Sequence, residues 1–271
     1  MSRRMSVARD GAVATVTLAG PGGKGVMDDW FFTELAETTA ELDAEEAVRA
    51  IVYVGPDAGK GSNFSYGLDL AAAAQTFAPM RSATDAGART QLLDLIRRWQ
   101  GTLDVVANAQ TPTIAAISGW CIGGGVDLAA ACDIRVASRG ATFSIREVKV
   151  AIVADLGSLQ RLVGIIGDGH LRELALTGDD IDAERAAAIG LVNHVEDDAL
   201  AKAADIAARI AGNSPLVLRG IKDVLGAERA PRVEAGLRYA AAWNTAFLLS
   251  NDLDEAMASF VERRPPEFTG R

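Results

Sequence analysis

The sequence contains few of the residues from which metal centres and nucleophilic triads are built. Its 271 residues include two histidines, His170 and His194, and two cysteines, Cys121 and Cys132. The histidines lie far apart in the sequence, and the cysteines lack CxxC spacing, so we expect structural histidines and buried free thiols. A disulfide, a histidine-based metal site and a serine triad are therefore disfavoured, and we predict no metal.

Excess positive charge and long apolar runs are also missing. The net charge is −9 and the sequence pI is about 4.8, which argues against nucleic acid or an anionic membrane surface as the main partner. The longest apolar run, near the central glycines, is well short of the roughly 20 residues that a membrane span requires. The N-terminal residues also lack the apolar core of a secretory signal, so we expect a cytoplasmic protein.

The residues that are present favour a globular α/β fold. Hydrophobic residues make up 49% and charged residues 23% of the chain, enough for a large core. Asp10-Gly11 predicts a hairpin over residues 6–18, a helix follows at 28–42, and a buried strand at 50–54. Residues 76–90 read as a connector, and a helix begins at Gln91.

The last third of the chain contains only helical patterns, at 199–211, 215–226, 231–249 and 252–263. We therefore predict a core over residues 1–198 that carries the active site. Residues 199–271 would form a helical region for oligomerisation, since such a layer often packs against a neighbouring subunit.

The central stretch from residue 113 to 159 carries the strongest functional signal. An apolar strand, Thr113 to Ile117, precedes Gly123-Gly124-Gly125, and a helical pattern starts at Val126. A helix N-terminus has unpaired N–H groups, and glycines leave them uncovered, so this turn can hold a negative oxygen. The glycine at residue 67 repeats this arrangement and could supply a second backbone donor.

Three carboxylates follow the glycines: Asp127, Glu147 and Asp155. Acids beside an anion hole suggest proton transfer next to a carbonyl. Each has a structural alternative. Asp127 could be favoured by the helix dipole, Glu147 could pair with a neighbouring Arg146 or Lys149, and Asp155 could cap the following helix.

Several motifs together resemble the crotonase, or enoyl-CoA hydratase/isomerase, superfamily over essentially the whole chain. They are Phe64-Ser65-Tyr66-Gly67-Leu68-Asp69-Leu70, Ala115-Ala116-Ile117-Ser118-Gly119, Gly123-Gly124-Gly125, Ala131-Cys132-Asp133-Ile134, Ala188-Ile189-Gly190-Leu191-Val192 and the closing Phe260 to Pro265. The resemblance implies a spiral of repeated ββα units and a C-terminal helical region that forms trimers, often paired into hexamers. It also implies an acyl-CoA thioester substrate, with no separate cofactor, whose carbonyl oxygen lies between the N–H groups of Leu68 and Gly124.

The acids distinguish activities within this superfamily. Hydratases have two glutamates, whereas Asp127, Glu147 and Asp155 together are similar to the Δ3,5-Δ2,4-dienoyl-CoA isomerases. This similarity implies that Glu147 takes a proton at C2 of the substrate and that Asp155 delivers a proton at the distal end of the conjugated system. Asp127 would polarise, position or hold a water molecule. The alternative is a 2-enoyl-CoA hydratase that uses Asp127 and Glu147. A non-catalytic acyl-CoA-binding or RNA-binding homologue is a third possibility, which the charge of −9 weakens.

The same resemblance provides candidates for contacts with coenzyme A. By position in the family these candidates are Lys24, Ser65, Tyr66, Gly67, Asp69, Phe260 and Arg263.

Overall fold

The computed structural model describes residues 5–23, 25–56, 63–82 and 86–271, in which strands and helices alternate. The strands are β1 (Ser6–Asp10), β2 (Val13–Thr17), β3 (Val26–Met27), β4 (Ala50–Val54), β5 (Gly67–Leu68), β6 (Thr113–Ile117), β7 (Trp120–Ile122), β8 (Ile134–Ser138), β9 (Thr142–Ser144), β10 (Ile181–Asp182) and β11 (His194–Glu196). The helices are α1 (Asp29–Ala44), α2 (Leu70–Ser82), α3 (Ala86–Asn108), α4 (Gly124–Ala131), α5 (Ser158–Arg161), α6 (Val163–Thr177), α7 (Ala183–Ala188), α8 (Ala199–Ala211), α9 (Pro215–Phe247) and α10 (Asn251–Glu262).

A six-stranded sheet in the order β1-β2-β4-β6-β8-β11 forms the centre of the fold. Strands β1 and β2 pair antiparallel through the predicted turn at Gly11, and every further pairing along the sheet is parallel. Strands β4 and β6 are buried at every position, as expected for parallel strands covered on both faces. A three-stranded sheet, β10-β9-β7, and a two-stranded sheet, β3-β5, lie beside it.

The two faces of β4 contribute to different cores, because alternate side chains of a strand point to opposite sides. Ile51 and Tyr53 belong to the larger core, which also contains buried residues of α1, α3 and α4. Ala50 and Val52 belong to a smaller core closed by apolar residues of α8. Helix α8 thus covers the back of the sheet. The division of the chain at residue 198 stays a prediction. The first helix after that residue, α8, packs against the smaller core of the sheet.

The structure corrects two of the predicted helix boundaries. Residues 76–90 were expected to be a connector, but 76–82 belong to α2, which runs to Ser82, and 86–90 belong to α3, which begins at Ala86; residues 83–85 lie outside the described part of the chain. Small residues weaken the helical pattern there, and the packing of Phe77 in the larger core stabilises a helix that the local sequence does not predict. Two helices predicted at 215–226 and 231–249 are one helix, α9, which contains Pro231.

The loop that precedes α2 is held along β7, which the sequence did not predict as a strand. Ser65 forms a parallel bridge to Cys121, and its N–H donates to Trp120 O at 3.0 Å. The N–H of Ile122 donates back to Ser65 O at 2.9 Å. This pairing brings Gly67 directly to the N-terminus of α4. Among the described residues, no helix is both long enough and apolar enough to cross a membrane.

A buried hydroxyl pair links α1 to the sheet and provides a test of the fold. Tyr53 and Thr39 have no exposed surface, and their oxygens are 2.8 Å apart. We expect Tyr53→Phe and Thr39→Val each to lower the free energy of unfolding by about 1–3 kcal/mol, since each leaves one buried hydroxyl unsatisfied. The double variant should lose less than the sum in urea denaturation. Strictly additive losses would show that the two hydroxyls do not interact.

Candidate active site

Two backbone nitrogens meet where β5 packs against the start of α4. Gly67 has a positive φ of 76°, and a Cβ built on it would lie 2.7 Å from Ile122 O and 3.0 Å from Gly124 N. A Cβ built on Gly124 would lie 3.8 Å from Leu68 N and 2.9 Å from Met27 Sδ. Both glycines are therefore required by close approach of the two segments. The structure brings together Leu68 and Gly124, the two predicted donors.

The glycine triplet also shapes the beginning of α4. Gly123 has a positive φ of 51°, and its N–H donates to Ser144 O at 3.0 Å. The first N–H groups of a helix have no acceptor within the helix, and they carry the positive end of its dipole. Gly124 and Gly125 present these groups without side-chain bulk. This turn is suited to stabilise a negative oxygen.

Asp127 lies in the first turn of α4 and is 1% exposed. Its Oδ1 accepts a hydrogen bond from the N–H of Ser158, at the start of α5. Its Oδ2 is buried and has no hydrogen-bond partner in the described part of the chain. Burial raises the pKa of Asp127 to about 6, against the opposing effects of the Ser158 hydrogen bonds and the Arg161 charge. Only one of the two carboxyl oxygens of Asp127 therefore has a hydrogen-bond partner among the described residues.

Glu147 begins a 3-10 turn, Glu147–Val150, that follows β9. A Cβ built on Gly123 would lie 3.4 Å from its Oε1, so the carboxyl faces the glycine turn. Its Oε2 is buried without a hydrogen-bond partner among the described residues. Burial raises the pKa of Glu147 to about 8, helped by the negative charges of Asp127 and Asp155.

Glu147 does not form the surface ion pair with Arg146 that the sequence suggested as an alternative. Arg146 donates to Asp180 instead, and its guanidinium carbon lies 5.4 Å from the centre of the Trp120 ring. The Glu147 carboxyl is therefore directed into the protein while its neighbour takes the solvent-facing contact. This arrangement favours a chemical role for Glu147.

Asp155 lies in the segment between the Glu147 turn and α5. Its Oδ2 accepts a hydrogen bond of 2.6 Å from Asn244 of α9, and its backbone oxygen accepts one of 2.7 Å from Gln100 of α3. Burial raises the pKa of Asp155 to about 7, opposed by the Asn244 hydrogen bond. Gly157 rather than Asp155 occupies the N-cap position of α5. The capping alternative for Asp155 is therefore not realised.

The three acids form one electrostatic group. The negative charge of Asp127 raises the pKa values of both Glu147 and Asp155, and the charge of Asp155 also raises that of Glu147. The buried guanidinium of Arg161 offsets part of this negative charge and donates to Asp104 Oδ1 at 2.6 Å. Groups whose pKa values lie near neutrality can both give and take protons at physiological pH.

The remaining candidates have different surroundings. Ser65 is fully buried, donates to Gly25 O at 2.6 Å and accepts from the Gly67 N–H at 3.0 Å, so it shapes the loop. Asp69 accepts from the N–H groups of Ala71 and Ala72 and caps α2. The roles of both in coenzyme A binding stay predictions.

Three of the other side chains suggested for coenzyme A are exposed, and the fourth lies outside the described residues. Tyr66 is half-exposed, and its hydroxyl accepts from Asn63 Nδ2 at 2.7 Å. Phe260 and Arg263 are exposed at the end of α10, and Lys24 lies outside the described residues. Within the described ranges, no group of three His, Cys, Asp or Glu side chains is arranged to hold a metal ion.

Sequence reasoning missed the polar residues that support the acids. Gln100 and Asn244 are 5% and 2% exposed although they lie in helices with apolar buried faces. A buried carboxamide needs partners, so a lone Gln or Asn on a core face is a usable signal. This signal identifies the buried amide in the sequence, but the hydrogen-bond partner of the amide is known only from the structure.

Comparison with known proteins places this site in a family. The enoyl-CoA hydratase/isomerase family model matches residues 8–271. The chain belongs to this family. It is 42% identical over 259 residues to a mitochondrial Δ(3,5)-Δ(2,4)-dienoyl-CoA isomerase of Dictyostelium discoideum, covering 94% of this chain and 87% of the relative. It is 39% identical over 263 residues to a peroxisomal enzyme of the same name from Arabidopsis thaliana, covering 96% and 93%.

A solved structure of an enoyl-CoA hydratase/isomerase from Mycobacterium paratuberculosis is 28% identical, with a TM-score of 0.82, and covers 96% of this chain and 99% of that one. The predicted crotonase-type α/β fold and the resemblance to dienoyl-CoA isomerases are thereby confirmed. The cytoplasmic prediction is wrong by the same comparison, because the similar enzymes are named as mitochondrial and peroxisomal proteins. The composition of the N-terminal residues, on which the prediction rested, does not distinguish the cytoplasm from these organelles.

The raised pKa of Glu147 predicts a dependence of stability on pH. The folded protein retains a proton up to about pH 8 that the unfolded chain releases near its ordinary value of 4.5. Unfolding therefore becomes easier as pH rises through this window. We expect Glu147→Gln to gain stability relative to the unsubstituted protein from about pH 4.5 to about pH 8, measured by urea denaturation.

The exposed Glu184 provides the matched control. Glu184→Gln should run parallel to the unsubstituted protein over the same pH range. A difference for Glu147→Gln that stays constant with pH would contradict the prediction.

Proposed function

We propose that this protein converts a 3,5-dienoyl-CoA into the 2,4-dienoyl-CoA by moving protons through a thioester dienolate. The observation that carries the proposal is a third acid, the half-buried Asp155, whose carboxyl is held by Asn244 and interacts electrostatically with Asp127 and Glu147, while Glu147 faces the glycine turn. Addition of water to a double bond needs only two acids on one side of the substrate. A shift of two conjugated double bonds needs a proton removed at one end and delivered at the other.

The backbone nitrogens of Leu68 and Gly124 are proposed to hold the thioester oxygen. Their support is the close packing of β5 on the start of α4, where the glycines leave both nitrogens unobstructed. Removing a proton at C2 places negative charge on this oxygen. Donors already oriented toward it stabilise the dienolate by roughly 3 kcal/mol each.

Glu147 is proposed to take the C2 proton, and Asp155 to deliver a proton at C6. The C2–H bond breaks and a C6–H bond forms, while the double bonds move from C3–C4 and C5–C6 to C2–C3 and C4–C5. The step needs an ionised Glu147 and a protonated Asp155. Because the pKa of Glu147 is raised to about 8 and that of Asp155 to about 7, the proton lies more often on Glu147 near neutral pH, and the reactive state is a minor but populated one.

Asp127 is proposed to keep Glu147 basic. Its charge is among the causes that raise the pKa of Glu147, and a carboxylate with a higher pKa is a stronger base. Asp127 also fixes the start of α5 through the Ser158 N–H, which sets the position of the preceding Asp155 segment. The chemistry we propose uses no separate cofactor, since these proton transfers need only carboxyls and backbone donors.

Hydration of a 2-enoyl-CoA is the second candidate. It is favoured by one observation: Asp127 Oδ2 and Glu147 Oε2, which have no hydrogen-bond partner in the described ranges, could orient a water molecule. In that reaction Asp155 would have no chemical step. The two candidates therefore differ in what they require of Asp155.

The coenzyme A contacts and the oligomeric state are also proposals. Exposed apolar side chains line α9 and α10, including Tyr239, Trp243, Phe247 and Phe260, and the rings of Trp243 and Phe247 are 4.6 Å apart. A monomer gains little by exposing such a surface, so we propose a homotrimer or dimer of trimers. Phe260, Arg263 and the loop at Tyr66 remain the proposed contacts for coenzyme A.

The separate roles of Glu147 and Asp155 can be tested by isotope exchange. We expect Asp155→Asn to lose formation of the 2,4-dienoyl product by at least about a hundredfold, since the distal proton donor is removed. It should still exchange the C2 hydrogen of a 3,5-dienoyl-CoA in deuterated water. Glu147→Gln should lose both reactions. Product is followed by its ultraviolet absorption and exchange by mass spectrometry.

Hydration of a 2-enoyl-CoA is measured beside these variants. Unchanged product formation by Asp155→Asn would exclude its proposed role. Efficient hydration with no isomerisation by the unsubstituted protein would favour the second candidate.

The oxyanion geometry can be tested at Gly67. We expect Gly67→Ala to reduce kcat by about a hundredfold or more, because its Cβ would meet Ile122 O at 2.7 Å and displace the Leu68 N–H. Gly101→Ala, in α3 with open space around the new Cβ, is the control and should keep full activity with equal or higher stability. Equal kcat values for the two variants would contradict the assigned donor.

A further inference from the structure

Two buried carboxamides fasten the Asp155 segment to the helices behind it. Gln100 of α3 donates through Nε2 to Asp155 O at 2.7 Å and to Leu237 O at 3.0 Å. Asn244 of α9 donates through Nδ2 to Val153 O at 2.8 Å and to Asp155 Oδ2 at 2.6 Å. Each amide thus joins one helix to a segment that carries a proposed catalytic acid.

The orientation of both amides follows from their partners. Every partner of the two nitrogens is a carbonyl or carboxylate oxygen, which accepts hydrogen bonds. Turning either amide over would place oxygen against two oxygens in a buried site. The donor groups of Gln100 and Asn244 must therefore face the segment.

The two contacts differ in one respect. Gln100 reaches only the backbone oxygen of Asp155, whereas Asn244 reaches the carboxyl group itself. A donor held against one carboxyl oxygen limits rotation of the side chain and leaves the other oxygen to face elsewhere. It also favours the ionised form, which accepts the stronger hydrogen bond.

We propose that Asn244 is a positioning residue for the isomerisation: it fixes the Asp155 carboxyl so that Oδ1 is presented to the distal end of the substrate. The inference rests on the proposed function, because it assigns Asp155 the distal proton. It extends the active site to α9, a helix in the region predicted for oligomerisation. The charge of Asp127 of α4 raises the pKa of Asp155, and the charge of Asp155 in turn raises the pKa of Glu147 in the 3-10 turn. Arg161, beside Asp127, pairs with Asp104.

The test compares Asn244→Leu with Gln100→Leu, each of which replaces a buried amide by an apolar side chain. We expect Asn244→Leu to raise the proton affinity of Asp155 by roughly tenfold to a hundredfold, since a hydrogen bond to the ionised form is lost. Gln100→Leu should weaken the fold without changing this proton affinity. The readout is the pH titration of the Asp155 carboxyl by carbon-13 NMR, with the signal assigned by its loss in Asp155→Asn.

Kinetics provide a second readout. Asn244→Leu should lower kcat about tenfold or more with KM changed less than about threefold, and its pH–rate profile should move to higher pH. Gln100→Leu should keep the profile in place. Should Asn244→Leu not fold, Asn244→Ala, which is smaller and has no side-chain donor, takes its place in both measurements.

The outcomes separate this inference from the proposed function. A raised proton affinity with a shifted profile supports the positioning role. An Asp155 titration and profile that are unchanged by loss of the Asn244 amide overturn it, even when isomerisation is present. A protein that does not isomerise dienoyl-CoA overturns the proposed function and the role of Asn244 in it, whatever the NMR titration shows.

Discussion

Burial of three carboxyl groups in one place is the constraint on which the rest of the structure depends. Isolated buried charges are costly, and here burial is the largest cause that raises the pKa values of Asp127, Glu147 and Asp155. The Ser158 N–H donates to Asp127, and the Asn244 amide donates to Asp155. Asp127 Oδ2 and Glu147 Oε2 have no hydrogen-bond partner among the described residues. The acids are thus kept in a state that favours proton exchange over stability.

The same region depends on glycine as much as on charge. Gly67 and Gly124 let β5 approach the first turn of α4 so closely that no side chain fits between them. The Glu147 carboxyl faces the neighbouring Gly123. Backbone donors and the proposed base are therefore adjacent because small residues permit contact, and the dipole of α4 adds to the preference for a negative oxygen.

Helix α9 gives the site a connection to the periphery of the molecule. It is 33 residues long, exposes Tyr239 and Trp243, and buries Asn244 against the Asp155 segment. Helix α9 thus connects its exposed apolar surface to the segment that carries Asp155. If an oligomer forms through this helix, the contact would also restrict the motion of the Asp155 segment.

The sequence by itself determined the alternation of strands and helices, the glycine turn and the identity of the three acids, because these depend on local pattern and spacing. Other features depend on tertiary structure: residues 76–82 and 86–90 are helical, Pro231 lies inside one helix, and Asp127 rather than Asp155 accepts a hydrogen bond from the start of α5. Gln100 and Asn244 lie 55 and 89 residues from Asp155. Such partners are chosen by packing, since hydrogen bonding of a buried amide depends on which segments the core brings together.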